Sequence, residues 1–309
     1  MPPKVALITG GASGMGLAVA TALSALPSWE IHILDINSKR GSDAASTLAR
    51  TSFHYADVTK YNTLSEAFQN AFIRHNRLNF VFANAGMIER FNFYDPCPGQ
   101  TTDSKSITPP PEPDLLSIDA DLKGVILTTY LAQHYFRASP DQGRGASLVL
   151  TASCGGLYPS YYSPLYSSAK FGVVGFMRSI AQHFKARGVR ANAICPGIVR
   201  TNLVDTKGWS AFPQHRFTEM DSVVRVVLRL AGVSEDQGTG QGNGEGDGDS
   251  GLTDAKGTHL PTERLFGLAV EISDSGVYFR EQHPFCDEGM REVMEATVLE
   301  NQVGAILDK

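Results

Sequence analysis

The stretch KVALITGGASGMGLAVATALSAL, residues 4–26, decides the fold. Its first six residues favour a strand, a glycine-rich turn follows, and the apolar residues after the turn are typical of a helix. Gly10, Gly14 and Gly16 remove side chains where a phosphate group would approach the backbone and where the helix packs on the strand. The N-terminus of such a helix offers amide donors and a favourable dipole to an anion. The stretch therefore predicts a nucleotide-binding strand–turn–helix unit, with a purely structural glycine turn as the alternative.

The first 200 residues repeat this alternation of short strands and longer helices. We predict strands at residues 4–9, 31–35, 78–86, 147–153 and 189–197, with a final strand at 265–272. Strands that alternate with helices indicate a parallel sheet covered on both faces. In such sheets ligands bind beyond the carboxyl ends of the strands. The predicted fold class is therefore α/β.

Two segments break this pattern. Residues 93–113 are rich in proline and have no periodicity, so we predict a surface loop. Residues 235–256 include QGTGQGNGEGDGDSG, in which glycine occupies every second position from 238 to 248. Such a composition buries too little apolar area to offset the entropy of the chain, so we predict a disordered insertion. Because a strand is predicted after it, we expect a single domain over residues 1–309.

The composition excludes several classes of protein. The chain has 309 residues, 42% of them hydrophobic, and a net charge of -5 without a Lys/Arg cluster, which argues against a nucleic-acid partner. Its four cysteines are widely spaced and have no accompanying histidine pattern, so we expect free thiols and no metal site. No secretory signal opens the sequence, and every apolar run is shorter than the roughly 20 residues that cross a bilayer. We expect a cytoplasmic protein that does not associate with a membrane.

The stretch LYPSYYSPLYSSAK, residues 157–170, contains four tyrosines and one lysine. A tyrosine exchanges a proton near neutral pH only if a neighbour lowers its pKa from about 10. On a helix, residues four apart share a face, and only Tyr166 and Lys170 have that relation here. A chance pairing is the alternative. Tyr158, Tyr161 and Tyr162 lie among prolines and serines, so we predict a loop there that could still line a pocket.

Asp35 ends the second predicted strand about twenty residues after the glycines, where a carboxylate can accept both ribose hydroxyls of an adenosine. It would repel a 2′-phosphate, so this position favours NAD over NADP. Lys39 and Arg40 keep NADP as the less favoured alternative. A second alternative is that Asp35 only caps the helix that follows.

Several motifs together resemble the short-chain dehydrogenase/reductase family over residues 4–232 and the last strand. They are TGGASGMG at residues 9–16, Asp57-Val58, Asn84-Ala85-Gly86, Ser153, Tyr166 with Lys170, and Pro196-Gly197 with Thr201. Within the family, the pattern is most similar to NAD-dependent secondary-alcohol dehydrogenases of the 15-hydroxyprostaglandin dehydrogenase type. The resemblance implies a Rossmann-like, doubly wound parallel sheet of about seven strands with helices on both faces. It also implies a homodimer or homotetramer formed through two long central helices.

The resemblance further implies the roles of individual residues. Tyr166 would be the general acid/base, and Lys170 would stabilise its phenolate and hold the nicotinamide ribose. Ser153 would hydrogen-bond the substrate oxygen, although a serine that caps the strand end is the alternative. Asp57 and Val58 would hold the adenine. The full set of implied cofactor contacts is Gly10, Ser13, Gly14, Met15, Gly16, Asp35, Ile36, Asp57, Val58, Asn84, Ala85, Gly86, Tyr166, Lys170, Pro196, Gly197, Ile198, Val199 and Thr201.

One position departs from the family pattern. The family usually has an asparagine three residues before a glycine in the long helix ahead of strand five, and this asparagine anchors a water that relays protons from the lysine. The run here is SIDADLKGVIL, and the matching residue is Asp121. Aspartate is nearly isosteric with asparagine, but a carboxylate near Lys170 would change the charge balance. Either the relay is retuned or turnover is slowed.

These observations lead to a functional hypothesis, an NAD-dependent oxidoreductase that interconverts a secondary alcohol and a ketone. The substrate would be a medium-sized, fairly apolar small molecule. The candidate pocket residues are Leu157, Tyr158, Tyr161, Tyr162, Leu203, Trp209 and Phe212, each of which could instead belong to the core or a dimer interface. The alternatives are a nucleotide-binding member of the family whose chemistry has decayed, and a non-redox enzyme such as a cyclase or isomerase.

Overall fold

A computed structural model describes residues 2–95, 109–204, 206–233 and 251–302. The chain divides into a large unit, Met1–Phe279, and a short terminal unit, Arg280–Lys309. The sheet strands are β1 Lys4–Thr9, β2 Trp29–Asp35, β3 Thr51–Tyr55, β4 Phe80–Ala83, β5 Ser147–Thr151, β6 Arg190–Pro196, β9 Ala269–Ser273 and β10 Gly276–Arg280. A separate antiparallel ribbon consists of β7 Leu252–Thr253 and β8 His259–Leu260.

The helices of the large unit follow the strands in alternation. They are α1 Gly14–Ser24, α2 Ser38–Thr47, α3 Tyr61–His75, α4 Leu116–Ile118, α5 Gly124–Ala138, α6 Pro164–Ala186, α7 Thr206–Ser210 and α8 Met220–Leu230. A π-turn, Asp119–Lys123, joins α4 to α5. The short unit contains α9 Glu288–Glu295 and α10 Leu299–Gln302. The three described cysteines, Cys154, Cys195 and Cys286, are free thiols as expected.

The eight strands of the sheet lie in the order β10-β9-β6-β5-β4-β1-β2-β3. All pairs from β9 to β3 are parallel, so the prediction of a Rossmann-like α/β fold is confirmed. The sheet has one strand more than the seven expected, because a two-residue turn after Ser273 sends β10 back along β9. The predicted final strand at 265–272 begins later, at Ala269, after Gly267 with a φ of 68°.

Both faces of the sheet are covered. Val5 and Leu7 of β1 belong to a core cluster shared with α3, α5 and α6, whereas Ala6 and Ile8 belong to a cluster shared with α1 and α8. Successive side chains of a strand point to opposite faces, so a strand that is apolar at every position requires helices on both sides. This architecture places the carboxyl ends of β1, β2, β4, β5 and β6 at one edge of the sheet.

The two predicted irregular segments lie partly outside the described residues. Residues 93–95 and 109–113 are exposed and contain neither helix nor strand, while 96–108 fall outside the description. The predicted insertion at 235–256 falls outside it as far as residue 250. Its described end differs from the prediction, because Leu252 is buried in the core and β7 pairs with β8. Among the described residues, no helix combines the length and apolar character needed to span a bilayer.

Three histidines meet beside the outer strands of the sheet. His32 of β2 lies with its Nδ1 atom 2.8 Å from Nε2 of His54 on β3, and its ring centroid is 5.0 Å from that of His75 at the end of α3. Burial, helped by the neighbouring histidines and Arg74, lowers the pKa of His32 to about 3. Burial also lowers the pKa of His54 and of His75, and Glu30 opposes the shift at His75.

We expect this cluster to make folding sensitive to acid. Because the pKa of His32 is lower in the folded chain, the unfolded chain binds more protons, and the free energy of unfolding falls as the pH drops below about 6.5. Between pH 7 and pH 5, His32 alone should account for about 2 kcal/mol of lost stability. Urea unfolding of His32→Phe should show a weaker pH dependence than the wild type, while the exposed control His215→Gln should not. An unchanged slope in His32→Phe would contradict the assignment.

Candidate functional site

The glycine turn after β1 can be built only with glycine at its critical positions. Gly10 and Gly14 have φ values of 65° and 54°, which side chains disfavour. A Cβ at Gly10 would lie 2.9 Å from Cα of Ala85, and a Cβ at Gly16 would overlap the Gly10 carbonyl oxygen. Helix α1 begins at Gly14, and the side chain of Ser13 does not cap it. The first amides of α1 are therefore oriented toward the space above the turn.

A cavity of about 670 Å³ opens above this turn, along the carboxyl ends of the central strands. It is lined by every predicted site residue except Gly16, namely Gly10, Ser13, Gly14, Met15, Asp35, Ile36, Asp57, Val58, Asn84, Ala85, Gly86, Asp121, Ser153, Tyr166, Lys170, Pro196, Gly197, Ile198, Val199 and Thr201. Gly16 instead packs against the turn, because a Cβ there would overlap the Gly10 carbonyl oxygen and lie 2.8 Å from Nδ2 of Asn84. The structure thus brings residues from eight separate parts of the sequence to one cavity.

Asp35 is held at the rim of this cavity by two backbone amides. Its Oδ2 accepts the N–H of Ala12 at 3.1 Å, and its Oδ1 accepts the N–H of Asn37 at 2.9 Å. The alternative that Asp35 caps α2 is wrong, because the N-cap is Asn37, whose side chain accepts the N–H of Arg40. Arg40 lines the same cavity.

Hydrogen bonds of Thr9 and Asn84 connect the ends of β1, β4 and β5. The Thr9 hydroxyl accepts the N–H groups of Asn84 and Ala85 at 2.9 and 3.1 Å. The Asn84 amide donates to the Thr9 carbonyl at 3.2 Å and accepts the Thr151 hydroxyl at 3.2 Å. This network fixes the position of the segment Asn84–Gly86, which lines the cavity.

Tyr166 and Lys170 occupy successive turns of α6, and the Lys170 Nζ atom lies 5.5 Å from the centre of the Tyr166 ring. Ser153 follows β5, and its Oγ accepts the N–H of Gly155 at 3.1 Å. A Cβ at Gly155 would lie 3.4 Å from Cε1 of Tyr166 and 3.5 Å from Oγ of Ser153. The serine and the tyrosine therefore flank Gly155.

A buried ion pair lies behind this group. Nζ of Lys170 is 3.2 Å from Oδ2 of Asp121, and the two side chains are only 3% and 0% exposed. Nζ also donates to the carbonyl of Thr151 at 3.0 Å, and Oδ1 of Asp121 accepts the N–H of Met87 at 2.7 Å. Burial alone would lower the pKa of Lys170, but the Asp121 carboxylate and the Tyr166 phenol together outweigh burial, so the pKa lies above its usual value. Lys170 is therefore held as an ammonium.

Lys170 acts on the pKa of Tyr166 in the expected direction, but its effect is smaller than that of burial. Burial raises the pKa of the phenol above its usual value, and the attraction of Lys170 and a hydrogen bond with Ser153 only partly oppose this. Asp121 adds to the increase because its negative charge disfavours a nearby phenolate. Aspartate at position 121, where the resemblance implies asparagine, therefore makes Tyr166 a weaker acid.

Asp121 belongs to the π-turn between α4 and α5, which the sequence did not reveal. Such turns insert one extra residue into a helix and are frequent at functional sites. The carboxylate is also close to the strand ends, since a Cβ at Gly86 would lie 3.0 Å from its Oδ1 atom. Glycine at 86 thus leaves the space that Asp121 occupies.

Glu89 is a residue of this site that the sequence analysis missed. Its Oε2 accepts the N–H groups of Leu165 and Tyr166 at 2.7 and 2.9 Å, in the first turn of α6. The side chain of Ser163, the N-cap residue, makes no capping hydrogen bond. Glu89 therefore caps α6 from a segment that is distant in sequence. Its negative charge also interacts favourably with the helix dipole at the N-terminal turn that contains Tyr166. Pro164 marked the start of the helix, but no local pattern pointed to a partner 76 residues earlier.

Four of the seven predicted pocket residues line the cavity and form a mainly apolar part of it, here called the outer cavity: Tyr162, Leu203, Trp209 and Phe212. The other three do not, so the prediction is wrong for them. Leu157 packs against the core, Tyr158 donates to Oε2 of Glu271 at 3.2 Å, and Tyr161 is 83% exposed. Aromatic contacts connect Phe212 to Tyr162 and to Trp209, with ring centres 6.3 Å apart in each pair.

This fold and this site define a class of protein. The sequence profile of the short chain dehydrogenase family matches residues 4–209, and the chain belongs to this family. It is 65% identical, over 95% of its length and all of the other chain, to the short-chain dehydrogenase/reductase prx7 of Penicillium rubens. It is 30% identical to human 15-hydroxyprostaglandin dehydrogenase [NAD(+)] over 66% of its own length and 71% of that protein. The crystal structure of levodione reductase is similar with a TM-score of 0.63 and 25% identity, over 77% of this chain and 93% of that one.

Proposed function

We propose that the protein is an NAD-dependent oxidoreductase that interconverts a secondary alcohol and a ketone. The observation that carries the proposal is the position of Tyr166, Lys170 and Ser153 in the cavity that also contains the glycine turn. The residues present fit a dinucleotide, since the glycine turn leaves room for a pyrophosphate and Asp35 lies at the rim. When bound, the cofactor supplies the hydride chemistry.

The side chains of this protein would move and hold the proton. Tyr166 takes the proton from the alcohol oxygen during oxidation and returns it during reduction. Ser153 orients the same oxygen, and the ammonium of Lys170 favours the phenolate. Asp121 acts through Lys170, because it holds the ammonium in place and partly neutralises its charge. Glu89 is a positioning residue that fixes the first turn of α6.

Asp35 supports a preference for NAD(H). A carboxylate oriented by Ala12 and Asn37 can accept ribose hydroxyls, whereas a 2′-phosphate would meet its negative charge. Arg40 at the rim is the observation that favours NADP(H) as the alternative. The name of the human relative, which specifies NAD(+), agrees with the first assignment.

Asp35→Ser should reduce the affinity for NADH by about tenfold, since hydrogen bonds to a charged group contribute more than neutral ones. The affinity for NADPH should rise, so the difference in affinity between the two cofactors should become smaller. Calorimetric titration with each cofactor measures both changes. Asp43→Ser is the matched control, because Asp43 is an exposed carboxylate on α2 whose ion pair is with the exposed Lys39. Equal or tighter binding of NADPH by the wild type would contradict the assignment.

The apolar outer cavity supports a medium-sized, fairly apolar substrate. Tyr162, Leu203, Trp209 and Phe212 offer aromatic and aliphatic surface beside the hydroxyl groups of Ser153 and Tyr166. The relatives named as an NAD(+)-dependent hydroxyprostaglandin dehydrogenase and a levodione reductase agree with alcohol and ketone chemistry. Screening purified protein with NAD or NADH against a panel of secondary alcohols and ketones tests the proposal.

The second candidate is a nucleotide-binding relative with decayed or non-redox activity, and the buried Asp121–Lys170 pair favours it. NADH binding without turnover of any alcohol or ketone would support that candidate. We further propose a cytoplasmic homodimer or homotetramer assembled through α5 and α6. Ile126, Tyr130 and Phe171 are exposed on these two helices and would be covered by such an interface.

A further inference from the structure

A second cavity, of about 650 Å³, lies at the end of the sheet opposite to the functional site. It is formed where α5 leads into β5 and where α6 turns into β6. Four of its seven lining residues are cations, Arg137, Arg144, Lys185 and Arg187, and none is acidic. The cavity is independent of the proposed function.

Within the described parts of the chain, two of these cations have partners that are not acidic: Arg187 donates to Nε2 of His183 at 3.1 Å, and Nζ of Lys185 lies 3.8 Å from the centre of the Phe266 ring. None of the ion pairs among the described residues includes any of the four. Asp141 is close in sequence, but its Oδ1 accepts the N–H of Gly143 and its side chain does not line the cavity. Since the chain as a whole has a net charge of -5, general basicity does not explain the cluster.

The backbone fixes two of the arginines side by side. Gly145 and Gly188 have φ values of 79° and 76°, and the N–H of Gly145 donates to the carbonyl of Gly188 at 2.9 Å. A Cβ at Gly188 would lie 3.5 Å from both Cα and Cγ of Arg144. Arg144 therefore lies against the residue that follows Arg187, so the backbone positions of the two arginines are close together while both side chains are exposed.

Further conformational strain lies in the same turn. Gln142, which also lines the cavity, has a φ of 54°, a left-handed conformation that is costly for a residue with a side chain. Two of the four cations have a structural explanation, because Arg137 and Lys185 lie in the last turns of α5 and α6. A positive charge is stabilised there by the helix dipole. Arg144 lies in no helix, so this explanation does not extend to it.

We propose that this cavity binds a small ligand with a di- or triphosphate group. Guanidinium groups bind phosphate oxygens in pairs of parallel hydrogen bonds, and four positive charges match the charge of a polyphosphate. The volume lies within the range of sites for small molecules, which favours such a ligand over an acidic protein surface.

Calorimetric titration with inorganic tripolyphosphate tests this proposal. The wild type should bind it saturably at this cavity. The double variant Arg144→Gln/Arg187→Gln should bind tripolyphosphate about tenfold more weakly, or worse, because both substitutions remove charge-assisted hydrogen bonds to the phosphate oxygens. Arg225→Gln, which changes an exposed arginine on α8, is the control for charge and should bind normally. NADH affinity should be the same in all variants, since these residues do not line the cofactor cavity.

Three results would overturn the proposal. They are absence of saturable binding by the wild type, unchanged binding by the double variant, and an equal loss in Arg225→Gln. If an acidic peptide bound at this cavity while tripolyphosphate did not, the site would serve a protein partner instead. Failure of NADH binding in all variants would count against the proposed function and not against this cavity.

Discussion

Tyr166→Phe is expected to lower turnover by about a hundredfold or more, the usual effect of losing a general acid/base. The substitution removes only the hydroxyl, so the ring keeps its contacts with Gly155 and with the side chain of Lys170. Cofactor affinity and thermal stability should therefore change little. Steady-state kinetics on a substrate from the panel, with calorimetry for NADH, would measure both quantities.

The neighbouring tyrosines provide matched controls. Tyr162→Phe should alter KM, because Tyr162 lines the outer cavity. Tyr161→Phe should have little effect on KM or turnover, since this side chain is exposed. Tyr158→Phe should also have little effect, because it removes a hydrogen bond to Glu271 that lies outside the cavity. A redox rate that is unchanged by Tyr166→Phe would mean that the phenol is not the proton carrier.

Asp121→Leu should destabilise the protein by about 3 kcal/mol or more, the usual cost of leaving one partner of a buried ion pair alone. The ammonium of Lys170 would keep only the Thr151 carbonyl, and the N–H of Met87 would lose its acceptor. Asp121→Asn should retain most of the stability, because an amide oxygen can still accept from Met87. Urea unfolding of the wild type and of both variants measures these differences, and an Asp121→Leu variant as stable as the wild type would show that the ion pair does not contribute to stability.

The same position should also control the pH dependence of the reaction. The Asp121 carboxylate contributes to the raised pKa of Lys170 and of Tyr166, so its removal should lower both. Alcohol oxidation requires the phenolate, and its rate therefore rises as the pH passes the pKa of Tyr166. In Asp121→Asn this rise should move to lower pH, and turnover at neutral pH should be preserved or increased.

Asp119→Asn is the control for this experiment. Asp119 lies in the same π-turn, but its partner is the exposed Lys123 at 3.3 Å, away from Tyr166. Its pH profile should match that of the wild type. An Asp121→Asn profile that is identical to the wild type, or shifted to higher pH, would contradict the electrostatic role. In that case the pair would have to be regarded as structural.

Local patterns explain why much of the fold could be predicted. The sequence predicts β1 and its glycine turn because the residues that form them are adjacent and have few alternative conformations. It predicts that Tyr166 and Lys170 share a helix face because they are four residues apart. Strand β3 was missed because its sequence TSFHY contains polar residues and lies at the edge of the sheet. Strand β10 was missed because a hairpin after the final parallel strand has no counterpart in the alternating pattern.

The contacts that tune the site could not be predicted, because they connect distant segments. Glu89 reaches the first turn of α6 across 76 residues, and no motif marks either end of that contact. Asp121 was recognised as unusual, but its direct ion pair with Lys170 depends on a π-turn that has no sequence signature. The sign of the pKa shift of Tyr166 depends on burial, which spacing alone does not reveal.

The central claim is that Tyr166 exchanges a proton with an alcohol or ketone oxygen while a nicotinamide cofactor is oxidised or reduced. The most direct measurement is the change in NADH absorbance when wild-type protein and Tyr166→Phe are each mixed with the panel of secondary alcohols and ketones. We expect turnover of at least one apolar member by the wild type and a loss of about a hundredfold or more in the variant. The claim would be contradicted if the wild type bound NADH but converted no member in either direction, or if both proteins turned over at the same rate.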